Sequence, residues 1–465
     1  MFFNLSIQTG QIPWQWNTSH ITPIYKKSSK NLTQNYRLIA LTSVLCRILE
    51  KIICNHVIHH LLNNSLLSSC QHGFLPHRST VTQLLSTLNN WISGHSTNKT
   101  IHVIYTDLSK AFDRVSHEKL LEVILSYGIN GNLFRWLKSF LTERVQQVII
   151  EQSKSSPLEV TSGVPQGSVI GPLLFLLYID DITKQSTEKT TINLFADYAK
   201  VFLSDSKDLQ NVLGQVCLFF KARQVSLAHE KCQKLSIGKT AVPTHFLLEN
   251  TFPIEVAVVK DLGIHISANM KWENHINKIK KQAFQRCYQI LKSFQSKNIW
   301  TLVKAFTTFV RPILQYATTI WNPYMKKDKI SIERVQRFYT RKICNRCNIQ
   351  YTSYSDRLYK LNLKSLEHRR MEFDVIMVYK IVHNLVYPPL NEFFEFYNSP
   401  YNTRRHEFCL KQKSFKSTIQ HNFFKNRIVP IWNQLPSEIV STQTLENFKN
   451  KIKDFDFSSI TQLMF

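Results

Sequence analysis

The chain has 465 residues, 43% of them hydrophobic and 12% aromatic, which excludes a mainly disordered chain and leaves room for about three domains at ~150 residues each. Lysine and arginine number 58 against 32 aspartates and glutamates, a net charge of +26 that implies an anionic partner, most commonly a nucleic acid. Eleven glycines exclude collagen-like and glycine-linker architectures. Nine cysteines, an odd number behind a start without a basic and then apolar leader, read as free thiols in an intracellular compartment, nucleus or cytoplasm.

In chain order, residues 44–62 set apolar side chains at helical spacing and predict a helix with Leu45, Ile48, Leu49, Ile52 and Ile53 on one side. Residues 101–107 (IHVIYTD) read as a buried strand ending in a carboxylate. Residues 116–127 predict a helix closed by Gly128. The longest apolar run, 169–179, has 11 residues, whereas a bilayer span needs ~20, so no transmembrane helix and no membrane partner is expected. Residues 190–203 predict strand, tight turn, strand. Beyond Trp272 the chain turns helical and basic: residues 271–375 hold 22 Lys+Arg against 7 Asp+Glu, a net +15. That density favours a grip on a phosphate backbone. The interleaved Phe284, Tyr288, Phe294, Trp300, Phe306 and Phe309 read as core residues at helical spacing.

Chemistry concentrates in three places. Asp107 ends an apolar strand, where a lone charge is costly unless a metal ion or a cation offsets it. Residues 162–175 (SGVPQGSVIGPLLF) hold Gly163, Gly167 and Gly171, three of the eleven glycines, which suggests close approach of backbone to a partner. Asp197 sits at a hairpin tip in FADYAKVF. Taken singly, each aspartate reads better as a surface loop residue. Together, two strand-end carboxylates about a glycine-bearing loop are the requirement of metal-assisted nucleotidyl transfer.

This series resembles the reverse transcriptase of LINE-type, jockey-like non-LTR retrotransposons. NYRLIALTSVLCRILEKII and QHGFLPHRST resemble the two fingers motifs, DLSKAFDRVSH motif A, SGVPQGSVIGPLLF motif B, FADYAK motif C and LAHEKCQKLSIG motif D, in the family's order. The resemblance implies an α+β right-hand polymerase with an antiparallel palm sheet. It places fingers at 1–99, palm at 100–270, a basic helical thumb-like region at 271–375 and a C-terminal helical region at 376–465. It implies an RNA template, a DNA primer, deoxynucleoside triphosphates and a pair of Mg²⁺ ions. Asp107 and Asp197 match the metal carboxylates. Phe112 matches the aromatic that excludes a ribose 2′-hydroxyl, and Gln166 and Gly167 the pair under the nascent base pair. Lys231 matches the proton donor to pyrophosphate, and Arg37 and Arg78 the fingers residues that contact template or triphosphate.

Three departures accompany the resemblance. The family has a second aspartate after the first in motif C, and Tyr198 stands there; its phenol is uncharged at neutral pH and its ring is expected to intrude where a second ion sits. Leu38 replaces the usual proline of the first fingers motif, and Ala228 and His229 stand where motif D often has Asn-Pro. The start, just upstream of the first fingers motif, suggests a piece of a larger polyprotein, or a decayed copy, without its endonuclease. An impaired polymerase or an inactive nucleic-acid-binding remnant is therefore expected. Asp180 and Asp181, although they spell YIDD with Tyr178 and Ile179, read as a polar helix end after the apolar run. Cys344 and Cys347 (CNRC) with His406 and Cys409 (HEFC) have zinc-ligand types, but 58 residues separate the pairs, which disfavours a zinc site.

Overall fold

The computed structural model describes residues 2–95, 100–203, 206–238, 244–397, 406–415 and 417–460. The fold is α+β. Twelve strands occur among the described residues: β1 (Thr18–Tyr25), β2 (Tyr36–Leu41), β3 (Ile101–Thr106), β4 (Val145–Ile150), β5 (Ser153–Lys154), β6 (Leu158–Glu159), β7 (Thr191–Phe195), β8 (Tyr198–Leu203), β9 (Gln233–Ile237), β10 (Ile254–Glu255), β11 (Val258–Asp261) and β12 (Ile264–Ser267). The chain divides into two compact units, one of Met1–Pro76, Ile101–Lys234 and Val242–Glu255, the other of His77–Thr100, Leu235–Ala241 and Val256–Phe465. The expected boundary at residue 99 lies outside the described residues.

In the first unit, β2-β1-β4-β5 form one sheet, with β6 also pairing β4; β1 runs antiparallel to β2 and parallel to β4. A second sheet of this unit is antiparallel at its centre, β3 with β8 and β8 with β7, and Gln233 and Lys234 of β9 pair with β10. All six residues of β3 are buried, so the strand has no polar alternation and Asp107 is the first residue past its end. The helix expected at 116–127 forms as His117–Ser126, with Ser116 capping the Lys119 N–H and Gly128 leaving the helix at φ +78°.

The helix Val44–Asn63 presents a different face from the one its apolar pattern suggests. Cys46, Leu49, Glu50, Ile53, Val57 and Leu61 are buried, whereas Leu45, Ile48 and Ile52 are exposed. The cause is Glu50. Its carboxylate accepts the Val169 and Ile170 N–H groups at 2.6 and 3.0 Å, at the start of the helix Gly171–Asp180. A helix N-terminus offers unpaired N–H groups and a favourable dipole, so the acid turns inward and carries its flank with it.

The second unit holds the β11–β12 hairpin and the helices Glu273–Ser293, Ile299–Phe309, Lys326–Arg346 and Leu366–Val382. The aromatics expected in its core are mostly outside it. Of the six, only Phe306 is buried; Tyr288, Trp300 and Phe309 are each more than half exposed. The buried stripe of Glu273–Ser293 consists of His275, Ile276, Ile279, Ala283, Cys287 and Ile290, whose smaller side chains let helices pack closely and leave the rings off the stripe. No helix among the described residues is long and apolar enough to cross a membrane.

Candidate active site

β7 and β8 close on the pair Phe195–Tyr198, leaving Ala196 and Asp197 as a two-residue turn. Ala196 has φ +55°, the left-handed conformation such hairpins require. The β3–β8 register ends at Thr106–Ala199, and one further step sets Asp107 opposite Tyr198. Strand pairing thus brings together two aspartates that are far apart in sequence.

Asp107 and Asp197 line one cavity of about 1030 Å³, together with Arg37, Phe112, Gln166, Gly167 and Lys231. Seven of the eight residues singled out from the sequence therefore meet. The eighth, Arg78, belongs to the second unit, where its guanidinium lies 4.2 Å over the Tyr387 ring. Lys231 Nζ reaches Asp107 Oδ1 at 3.3 Å, and both side chains are partly exposed. Burial raises the Asp197 carboxyl above its ordinary range, and the neighbouring Asp107 charge adds to this; its own backbone N–H, Lys231 and Arg37 act the other way. A cation entering between the two carboxylates would relieve that cost.

Phe112 is held on two sides. Its ring stacks on Phe175 at 4.5 Å and 19°, and Phe74 meets it edge-on at 6.4 Å. Gly163 (φ +88°) passes so close that a Cβ there would lie 2.9 Å from the Phe112 carbonyl oxygen. Gly167 (φ +128°) would place a Cβ 2.4 Å from the Ala40 carbonyl oxygen, and the Ala40 N–H donates to the Gln166 carbonyl at 2.7 Å. The loop thus packs on β2 backbone to backbone, which only glycine permits here. Gln166 Nε2 donates to Asp113 Oδ1 at 2.7 Å.

Tyr198 departs from its expected placement. Its ring stacks on Tyr105, 5.7 Å away at 29°, and does not line the cavity. Tyr105 pairs with Lys200, so Tyr198 is its diagonal neighbour on the same face of the sheet, within reach of an aromatic ring. The ring therefore leaves the cavity unfilled. Asp180 and Asp181 end the helix Gly171–Asp180 as expected; Asp180 accepts the Ser68 N–H, and Asp181 pairs with Arg223 and Lys184.

The sequence reading missed Gln71, Gly73 and Phe74, although the QHGF text holds all three. Residues 70–72 run beside β7, with Leu194 N–H donating to the Cys70 carbonyl and His72 N–H to the Leu194 carbonyl. Gln71 Oε1 accepts from Gly73 N–H at 2.8 Å and Ala196 N–H at 3.4 Å, and a Cβ on Gly73 would lie 2.5 Å from the Ala196 nitrogen. This segment braces the turn that carries Asp197. Lys26, Lys27 and Lys110 also line the cavity, a basic rim that YKKSSK announces only once its place is known.

As a donor set, Asp107 and Asp197 fit one divalent cation, with its remaining positions open to other oxygens. Among the described residues no three His, Cys, Asp or Glu side chains group to hold a metal.

A family profile described as reverse transcriptase (RNA-dependent DNA polymerase) matches residues 24–266. The chain is 25% identical over 363 residues to the probable RNA-directed DNA polymerase from transposon BS of Drosophila melanogaster, covering 72% of this chain and 39% of that protein. It is 25% identical over 362 residues to the RNA-directed DNA polymerase from mobile element jockey of Drosophila melanogaster, covering 74% and 39%. The chain therefore spans about two fifths of the length of these curated relatives. Among solved structures it is similar to a telomerase from Candida albicans in complex with a fragment of telomeric RNA, at 12% identity, with 77% of this chain and 60% of that one covered and a TM-score of 0.49.

Proposed function

Because the chain belongs to the reverse transcriptase (RNA-dependent DNA polymerase) family, we propose that the cavity bearing Asp107 and Asp197 is its site of RNA-directed DNA synthesis, weakened by Tyr198. The single observation that carries this reading is the convergence of both carboxylates, Phe112, Gln166, Gly167 and Lys231 on one cavity. The family works with a divalent metal, which we take here to be Mg²⁺. Within the right-hand fold we assign fingers to 1–99, palm to 100–270, a thumb-like region to 271–375 and a C-terminal helical region to 376–465. The basic helices of 271–375 support the thumb assignment.

Held by Asp107 and Asp197, Mg²⁺ would neutralise phosphate charge and lower the pKa of the primer 3′-hydroxyl. The protein supplies the rest. Lys26, Lys27, Arg37 and Lys110 face a triphosphate with positive charge. Lys231, in a partly exposed ion pair worth only about 0–1 kcal/mol, exchanges Asp107 for a phosphate oxygen and delivers its proton to the departing pyrophosphate. Phe112, fixed by Phe175, closes the space beside the sugar 2′ carbon and so selects deoxynucleotides. The Gln166–Gly167 backbone, locked to Ala40, gives the new base pair a rigid support.

Tyr198 favours a second reading, binding of primer and template with little turnover, since one of the expected carboxylates is missing. Loss of one electrostatic partner of a transition state typically costs ~10²–10³-fold. Primer extension on an RNA template separates the readings. Extension by the natural chain should be slow or undetectable, Tyr198→Asp should raise it, and Asp197→Ala should abolish it in either background. Extension that survives Asp197→Ala would overturn the site.

A further inference from the structure

The second unit has a cavity of its own, of about 210 Å³, and none of the residues placed at the candidate active site lines it. Backbone pairing sets its wall. Lys411 N–H donates to the Glu395 carbonyl and Tyr397 N–H to the Cys409 carbonyl, both at 2.8 Å, so residues 395–397 and 409–411 run antiparallel. Asn433 fixes the second segment: its Oδ1 accepts the Leu410 N–H and its Nδ2 donates to the Leu410 carbonyl, each at 2.8 Å. Side chains alternate along such segments, so Lys411 and Lys413 share a side with Glu395. Glu395 answers both, at 3.4 and 2.5 Å. The helix Phe424–Arg427 adds Lys425, half-buried, whose ammonium makes no hydrogen bond or ion pair among the described residues. Burial, and then the Lys413 charge, lower its pKa, and Glu395 acts the other way. Both of those neighbours line the cavity, which sets the Lys425 ammonium on that side.

Three lysines and one glutamate are the charged groups of the lining, a net +2. A carboxylate or a phosphodiester carries one negative charge, whereas a phosphate monoester carries about −1.5 to −2 near pH 7 and so balances the lining best. Its oxygens each accept from a lysine ammonium. The rest of the lining suits a planar group. Phe393 and Phe394 are buried, Phe394 meeting Phe424 edge-on at 6.0 Å, and Phe415 is half-buried. Aromatic side chains of this kind stack on a nucleobase, since every base has a π-face. Two amides complete the wall. Asn426 Nδ2 donates to the Gln420 carbonyl at 2.6 Å, which leaves Oδ1 to accept, and Gln412 makes no hydrogen bond among the described residues. A base edge offers donors and acceptors to such amides, whereas the ring of a phosphotyrosine offers none. The space lies below the range of drug-sized ligand sites, so it admits one nucleotide at most and no duplex.

We propose that this cavity is a nucleotide site separate from the first, which takes a single nucleotide by its phosphate monoester, with the phosphate on Lys425 and the base against Phe415. The nucleotide is either free or the 5′-phosphorylated end of a strand, since both offer the same chemistry. The inference does not rest on the polymerase reading of the first cavity, and its test needs no catalysis. Binding to the full chain is measured by titration calorimetry with adenosine 5′-monophosphate, adenosine, inorganic phosphate and phosphotyrosine. A short oligonucleotide with a 5′-phosphate or a 5′-hydroxyl follows. The proteins are the natural chain, Lys425→Gln, Phe415→Ala and Glu395→Gln.

The natural chain should bind the monophosphate about tenfold or more tightly than adenosine, inorganic phosphate or phosphotyrosine. Lys425→Gln should lose about tenfold, the worth of one charge-assisted hydrogen bond, and Phe415→Ala a similar factor from stacking. Glu395→Gln should gain about threefold or more, because it removes the one negative charge that competes for the lysines. Opposite signs from neighbouring side chains are what a merely structural cluster would not give. Should Lys425→Gln lower the melting temperature, Glu395→Gln carries the test. Affinity for the monophosphate that is indifferent to Lys425→Gln, or that Glu395→Gln fails to raise, would overturn the proposal, as would no binding by the natural chain. Inorganic phosphate or phosphotyrosine bound as tightly as the monophosphate would overturn the assignment to a nucleotide. An advantage of the 5′-phosphorylated oligonucleotide that disappears with Lys425→Gln assigns the site to strand ends; monophosphate binding without that advantage assigns it to free nucleotides. Each of these results leaves the polymerase reading of the first cavity intact.

Discussion

Position 198 decides the charge of the site and little of its shape. The Tyr198 ring lies on Tyr105 and off the cavity, so the expected crowding does not arise, and the proposed weakening of the site is left to charge alone. Phe112 belongs to the same scale. Phe175 and Phe74 hold its ring on two sides, which is what the proposed exclusion of a 2′-hydroxyl needs. In the Tyr198→Asp background, Phe112→Ala should lower the preference for deoxynucleotides over ribonucleotides by about 10–10²-fold, measured as the ratio of single-nucleotide incorporation efficiencies. Unchanged discrimination would remove Phe112 from its proposed role.

At the scale of elements, the legible features were those with a local cause. The mostly apolar run of β3, broken only by His102 and Thr106, the tight turn between two strands at 190–203, and the Ser116 cap each leave a short-range mark. The features that were not legible depend on distant partners. Glu50 turns its helix because Val169 and Ile170, more than a hundred residues away, present N–H groups to it. Gly73 is required because the Ala196 nitrogen passes beside it. His275 is a further case: in the helix Glu273–Ser293 it reads as polar, yet it is 2% exposed, with Trp321 edge-on at 5.0 Å and the His265 N–H donating to its Nδ1 at 3.3 Å. Burial, and then the His265 charge, push its pKa down to about 3. Unfolded, it takes up a proton near pH 6.5, so between about 6.5 and 3 the unfolded chain binds more protons and stability falls as pH falls. The slope from this group is at most about 1.4 kcal/mol per pH unit. Urea denaturation from pH 7 to pH 4 should show a smaller loss of stability for His275→Gln than for the natural chain; parallel curves would contradict the assignment.

At the scale of the whole molecule, charge was read correctly in sum but not in use. The +15 of residues 271–375 includes Arg370, fully buried, and Lys329, Lys364 and Arg369, which pair with Glu367 and Glu372. Lys278, Lys281 and Arg286 on one helix and Arg334, Arg337 and Arg341 on another remain exposed. With exposed Tyr288, Trp300 and Phe309, they offer both phosphate contacts and stacking faces. Affinity for an RNA–DNA duplex should therefore fall about tenfold or more between 50 and 200 mM salt. A flat response would reject electrostatic binding. The positions of the rings could not be read from helical spacing, because spacing shows that a face is apolar and not whether a neighbour covers it.

The central claim is that Asp107 and Asp197 form one metal-binding centre that lacks the charge of a third carboxylate. Titration of Mn²⁺, an Mg²⁺ surrogate visible by electron paramagnetic resonance, measures this without reference to turnover. The natural chain should bind Mn²⁺ weakly, Tyr198→Asp about tenfold or more tightly, and Asp107→Asn or Asp197→Asn should abolish binding in both backgrounds. Mn²⁺ binding that is indifferent to Asp107 and Asp197, or unchanged by Tyr198→Asp, would contradict the account.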